Sequence, residues 1–138
     1  MFEVFLCSSP THFPLSLACH TWFVIHEGWK LLRYEILFYK NKDKKMWYLH
    51  IKSSWVFDGL RIIPCKGLWK WRWKVISKFS GKSTEKIIAV IKNSQENYSH
   101  LHKYQITGPN SNTYTQWLLN QFPEWKVTLP WNAFWKNY

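Results

Sequence analysis

Short apolar runs broken by turn residues dominate the first half of the chain. Phe2 to Cys7 (FEVFLC) predicts a first strand, and Ser8 to Pro14, which holds two prolines, ends it. Leu17 to Ile25 and Leu31 to Tyr39 are rich in β-branched and aromatic residues and flank His26-Glu27-Gly28. Two such runs around a glycine-containing turn read as a β-hairpin. With the turn centred between Glu27 and Gly28, antiparallel pairing sets His20 opposite Glu35, Trp22 opposite Arg33 and Val24 opposite Leu31. A charged turn over Asn41 to Lys45 leads to Met46 to Ile51, a third strand of the same sheet.

The pattern then changes. Val56 to Leu60 suggests a strand and a turn, and Leu68 to Ile76 alternates apolar with cationic residues. There Trp69, Trp71, Trp73 and Val75 share one face, and Lys70, Arg72 and Lys74 the other, as in a half-buried strand. A helix begins with Ser83 as its N-cap and Glu85 in its first turn. Ile87, Ile88, Val90 and Ile91 repeat at helical spacing, and the helix ends near Asn97. Lys103 to Thr107 reads as a last strand, and Gly108-Pro109-Asn110 as a turn. A second helix starts at Ser111 or Asn112, carries Tyr114, Trp117, Leu118 and Phe122 on one stripe, and stops at Pro123. Pro130 precedes a short terminal turn or helix. The expected architecture is α+β: an antiparallel sheet of about five or six strands packed with two main helices, in one domain spanning residues 1–138.

Composition supports a folded chain. Of 138 residues 46% are apolar, and the 11 Trp, 7 Tyr and 9 Phe form a core that is small in residue count but large in buried area. So many indoles exceed what one small core hides, so some belong near the surface. The formal net charge is +11, which draws polyanions and anionic lipid without specificity. The ordinary reading is a lysine-covered solvated surface. The sharper one makes Trp71, Arg72 and Lys74 a binding platform, with aromatic stacking and cations meeting phosphates. Cys7, Cys19 and Cys65 are odd in number, have apolar neighbours and form no CxxC pair. They read as buried thiols in a reducing, cytoplasmic setting. No apolar run approaches the roughly 18 residues of a membrane span, and the N-terminus lacks the basic and long apolar regions of a signal peptide. No dinucleotide, Walker, CxxC or zincin motif implies a cofactor, and His100-x-His102 has no acidic or cysteine partner nearby to complete a metal site.

One polar constellation carries chemistry. A helix N-terminus offers unpaired N–H groups and a positive dipole end, which suit an anion, an oxyanion or an activated nucleophile. Ser111 stands there, after a turn enforced by Gly108 and Pro109. A serine hydroxyl needs a base, and His20 is the best placed, with Glu35 to orient the imidazole. Cys19 adjoins His20 but points to the opposite face of its strand. The competing reading is structural: Ser111 or Asn112 as an N-cap, Asn110 as a turn residue, and His20 as a core histidine satisfied by Glu35. An anion- or ligand-binding site without catalysis lies between the two, with Asn112 among its contacts.

The blocks Gly108-Pro109-Asn110-Ser111-Asn112-Thr113-Tyr114, Phe122-Pro123-Glu124, Leu129-Pro130 and Lys136-Asn137-Tyr138 resemble a bacterial family known only as domain of unknown function number 3750. So do His20-Thr21-Trp22-Phe23-Val24 and Arg33-Tyr34-Glu35-Ile36. The match covers both ends of the chain, which implies a complete domain. It is poor from about Asn41 to Gly81, and Trp131 to Tyr138 departs from the pattern at several positions. More distantly, His20 on an early strand and Asn110-Ser111-Asn112 at the start of a late helix are similar to permuted papain-like proteins, the NlpC-type amidases and lecithin retinol acyltransferase relatives. Those place a nucleophilic Cys where this chain has Ser111. The likeness implies a permuted papain-like fold and an amide or ester hydrolase, or an inactive relative of one. Ser111 is then the nucleophile or its vestige, His20 the base, and Glu35 or Asn110 the orienting group. The alternative is a basic binding module for an anionic polymer such as nucleic acid, or for a membrane surface. A third reading is a structural pseudoenzyme with an unnamed partner.

Overall fold

The computed structural model describes residues 2–11, 17–40, 45–52 and 74–138. Among these the sheet has five strands: β1 (Phe2–Pro10), β2 (Cys19–Glu27), β3 (Lys30–Lys40), β4 (Lys45–Lys52) and β5 (Lys74–Phe79). Their spatial order is β4-β3-β2-β1-β5, and every neighbouring pair is antiparallel. Three helices follow: α1 (Thr84–Lys92), the single turn α2 (Ser94–Asn97) and α3 (Ser111–Leu119). The chain is α+β, with an antiparallel sheet packed by helices.

Alternation along β2 sorts its side chains. Phe23 and Ile25 face the helices and join Val4, Leu6, Tyr34, Ile36, Ile87, Ile91, Tyr114 and Leu118 in the main core. Trp22 and Val24 point the other way and pack with Cys7. Full burial of each such side chain contributes roughly 1.5–3 kcal/mol, so the main core lies between sheet and helices. After α3 the chain stays attached through Phe122, Trp125, Leu129 and Ala133, all buried in that core.

Several expectations are corrected. The β2–β3 turn is centred on Gly28-Trp29, since Glu27 pairs with Lys30 and Val24 with Arg33. Gly28 has φ +64, the left-handed conformation that two-residue hairpin turns demand at their first central position. The register is therefore two residues away from the expected one. A shift of two preserves faces, so Glu35 stays on the face of His20 and reaches it diagonally. Ser83 makes no side-chain cap bond; Thr84 Oγ1 instead donates to the Gly81 carbonyl at 2.8 Å. The first helix breaks at Asn93 before the single turn of α2. Lys103 to Thr107 is not a strand, because its backbone bonds locally: Gln105 N–H donates to Pro109 O and Gly108 N–H to Gln105 O. α3 ends at Leu119, four residues before Pro123. Lys74–Phe79 forms a strand, but a bulge falls where Leu6 pairs with Ser77 and Cys7 with Val75. The extra residue flips the alternation, so Val75 is exposed while Ile76 and Phe79 pack on the core. The rest of the Trp-Lys stretch, Trp71 and Arg72 included, lies outside the described residues, as do Val56 to Leu60 and Cys65.

Candidate active site

The N-terminus of α3 is fastened to β2 by side chains. Asn110 is the N-cap: its Oδ1 accepts from the N–H groups of Asn112 and Thr113 at 2.9 and 3.2 Å. Its own N–H donates to Thr113 Oγ1, which closes a capping box. The Asn112 amide accepts from Thr21 Oγ1 at 2.9 Å and donates to the carbonyls of Cys19 and Phe134. Thr115 Oγ1 donates to the carbonyls of Ser111 and Thr21. These bonds fix Ser111, the first residue of α3, beside His20 on β2.

Three side chains then form a line. Ser111 Oγ lies 2.7 Å from His20 Nδ1. His20 Nε2 lies 2.5 Å from Glu35 Oε2. The same Oε2 accepts from Arg33 Nη2 at 2.6 Å. Glu35 and Arg33 are buried, and the His20 side chain is 17% exposed. The chemistry sets the tautomer. A carboxylate that accepts from a guanidinium is ionised and can only accept, so Nε2 carries the proton and donates to Glu35. In the neutral imidazole Nδ1 then keeps its lone pair toward the Ser111 hydroxyl, which donates to it. The Trp22 ring backs the array: the Arg33 guanidinium lies 4.4 Å from its centroid and the His20 ring stacks at 5.6 Å.

Tyr104 completes the surroundings. Its phenol lies beside Ser111, whose side chain and backbone both act on it. Burial pushes its pKa above the ordinary tyrosine range, so it stays a neutral hydroxyl. The Cys19 thiol, next along β2, is pushed up to about 11 by burial and is no thiolate near neutral pH. It and Cys7 are free and buried.

Of the residues expected at the site, Ser111, His20 and Glu35 come together. Asn110 and Asn112 adjoin them, but their amides are engaged in capping and in tying α3 to β2. Of the two residues expected to orient the imidazole, Glu35 is the one bonded to it. The expected capping role of Ser111 or Asn112 belongs to Asn110. Lys74 is exposed at the start of β5. Arg33 and Tyr104 are additions. The Arg33-x-Glu35 spacing places both on one face of a strand and was visible in the sequence. Tyr104 carried no such signal, because it reaches Ser111 only through the local turns after Leu101. Among the described residues no group of three or more His, Cys, Asp or Glu side chains could hold a metal, and His100 instead makes edge contacts with Tyr98 and Tyr138.

Fold and site together define an α+β domain whose antiparallel sheet presents a Ser–His–Glu array at a helix N-terminus. The chain belongs to the family described as protein of unknown function (DUF3750), whose model matches residues 2–138. No curated protein and no solved structure matches it. No described helix is long and apolar enough to cross a membrane.

Proposed function

We propose that the protein is a serine-dependent hydrolase of amide or ester bonds. The observation that carries this reading is the unbroken line from Ser111 Oγ through His20 to Glu35, at 2.7 and 2.5 Å. Ser111 Oγ attacks the substrate carbonyl while its proton passes to His20 Nδ1. The imidazolium is stabilised by Glu35, whose Oε2 also accepts from Arg33. His20 then returns the proton to the leaving amine or alkoxide, and water hydrolyses the acyl-enzyme by the reverse relay. In this reading the Ser111 N–H at the start of α3 and the Tyr104 hydroxyl serve as donors to the developing oxyanion. A serine beside a lone histidine is a weak nucleophile. The buried Glu35 bonded to His20 supports reading the pair with Ser111 as a triad.

The order of parts, a histidine on an early strand and the nucleophile at the start of a late helix, also supports a permuted papain-like arrangement with Ser111 in the thiol's place. The experiment is turnover of activated esters and of amide substrates by the whole chain, with Ser111→Ala in parallel. Turnover lost in the variant supports the reading. Turnover that survives it removes the reading. The binding-module alternative draws on the +11 charge and on exposed Lys74, and its proposed contacts Trp71 and Arg72 lie outside the described residues.

A further inference from the structure

The segment after Pro130 turns aromatic side chains outward. Trp131 is 80% exposed and Trp135 41%, and the Phe134 ring contacts both, at 6.2 and 5.7 Å between centroids. Leu17, 74% exposed, adjoins them, since Asn132 Nδ2 donates to its carbonyl. A water-soluble surface has no reason to gather two indoles, a phenyl ring and a leucine in one ridge. The ridge is also held firmly. Cys19 N–H donates to Asn132 O, Asn112 Nδ2 to Phe134 O, and Thr113 Oγ1 to Trp135 O. Trp135 adopts φ +57, a left-handed conformation costly for a bulky residue, and keeps its ring on the outside. Cys19 and Asn112 adjoin His20 and Ser111 in the chain and Thr113 is one residue further, so the ridge stands close to the proposed site.

Charge points the same way. The segment 125–138 that carries the ridge contains no Asp or Glu, and its charged residues are Lys126 and Lys136. Lys136 follows Trp135 directly and donates to the Leu129 carbonyl at 3.2 Å, and Lys74 is exposed at the start of β5. Indoles flanked by cations fit the boundary between lipid headgroups and acyl chains, where an amphipathic ring has one apolar and one wet side.

We propose that the Leu17–Trp131–Phe134–Trp135 ridge docks the protein on an anionic lipid surface. The hydrolase reading sets that surface beside the Ser111 site, since Asn112 and Thr113 of α3 hold the ridge. The docking itself does not require catalysis.

The test is co-sedimentation of the full chain with vesicles of phosphatidylcholine alone and with about a third phosphatidylglycerol, at low and high salt. The variants are Trp131→Ala, Leu17→Ala, Trp131→Phe and Ser111→Ala. Expected are partition into the anionic vesicles that weakens with salt, a loss of about tenfold in Trp131→Ala, a smaller loss in Leu17→Ala and partial recovery in Trp131→Phe, because affinity follows buried apolar area plus lipid charge. Circular dichroism checks that the variants are folded. Ser111→Ala should bind like the parent, so docking and catalysis can fail separately. No partition into anionic vesicles, or partition that Trp131→Ala leaves unchanged, overturns the proposal. So does self-association through the ridge without lipid.

Discussion

Strand β2 carries two histidines on one face, six residues apart, and each is paired with a glutamate. His26 Nδ1 lies 3.1 Å from Glu3 Oε2, directly across the β1–β2 ladder. Lys78 also bonds Glu3, and the His26 side chain is 30% exposed. His20 is paired at 2.5 Å with a more deeply buried glutamate, is 17% exposed, and has a hydroxyl on its other ring nitrogen. Composition does not separate the two pairs; both are a His, a Glu and a nearby cation. What separates them is the Ser111 hydroxyl, which the start of α3 sets against the second ring nitrogen of His20. The His26 pair is a part-exposed ion cluster of the kind that adds little to stability. The hydrolase proposal gives the His20 pair the task of moving a proton.

That contrast can be broken most sharply by removing each imidazole. His20→Ala should lower ester or amide turnover by about a thousandfold or more, while His26→Ala should leave it within about twofold of the parent; steady-state kinetics on both decide it. Equal losses would mean that His20 has no special role. Next comes the carboxylate. Glu35→Gln keeps the shape but can present its amide N–H to the imidazole, which disfavours the working tautomer, and should cost about a hundredfold or more in kcat. It also removes the buried anion bonded to Arg33, and we expect a loss of roughly 3 kcal/mol in urea unfolding. Glu3→Gln should leave kcat unchanged and cost far less stability than Glu35→Gln.

Smaller effects refine the picture. Asn110→Ala removes the cap that sets Ser111 and should lower stability by about 1 kcal/mol. Its effect on turnover should be larger than a purely structural loss predicts. The smallest effect concerns pH. Hydrogen bonds from Lys78, then from His26, hold the Glu3 carboxyl below its ordinary value of 4.5. A depressed carboxyl stabilises the fold above that value, and the contribution is lost as pH falls through the folded-state pKa. Thermal unfolding followed downward from pH about 6 should therefore show a shallow acid limb that Glu3→Gln flattens.

The ease with which the sequence revealed these parts follows from their physics. His20, Glu35 and Ser111 were legible because strand alternation and helix-start chemistry are local rules. The hairpin register was not, because a slip of two residues leaves every apolar residue on its proper face. Only the turn geometry at Gly28 distinguishes the two registers. Tyr104 escaped because the loop holding it follows Gln105–Pro109 backbone bonding rather than any periodicity. The exchange of cap roles, with Asn110 rather than Ser111 holding the helix, was equally hidden. Any of three successive polar residues can cap, and the choice is made by Thr113 and by the tethers to Thr21 and Cys19. The exposed ridge was foreshadowed only as a surplus of tryptophans.

The most direct test of the central claim is labelling of the whole chain with a fluorophosphonate, followed by mass mapping of the modified peptide. The account predicts a single adduct on Ser111 that disappears in His20→Ala and persists in His26→Ala. An unmodified Ser111 in the folded parent protein, or labelling that ignores the loss of His20, would contradict it.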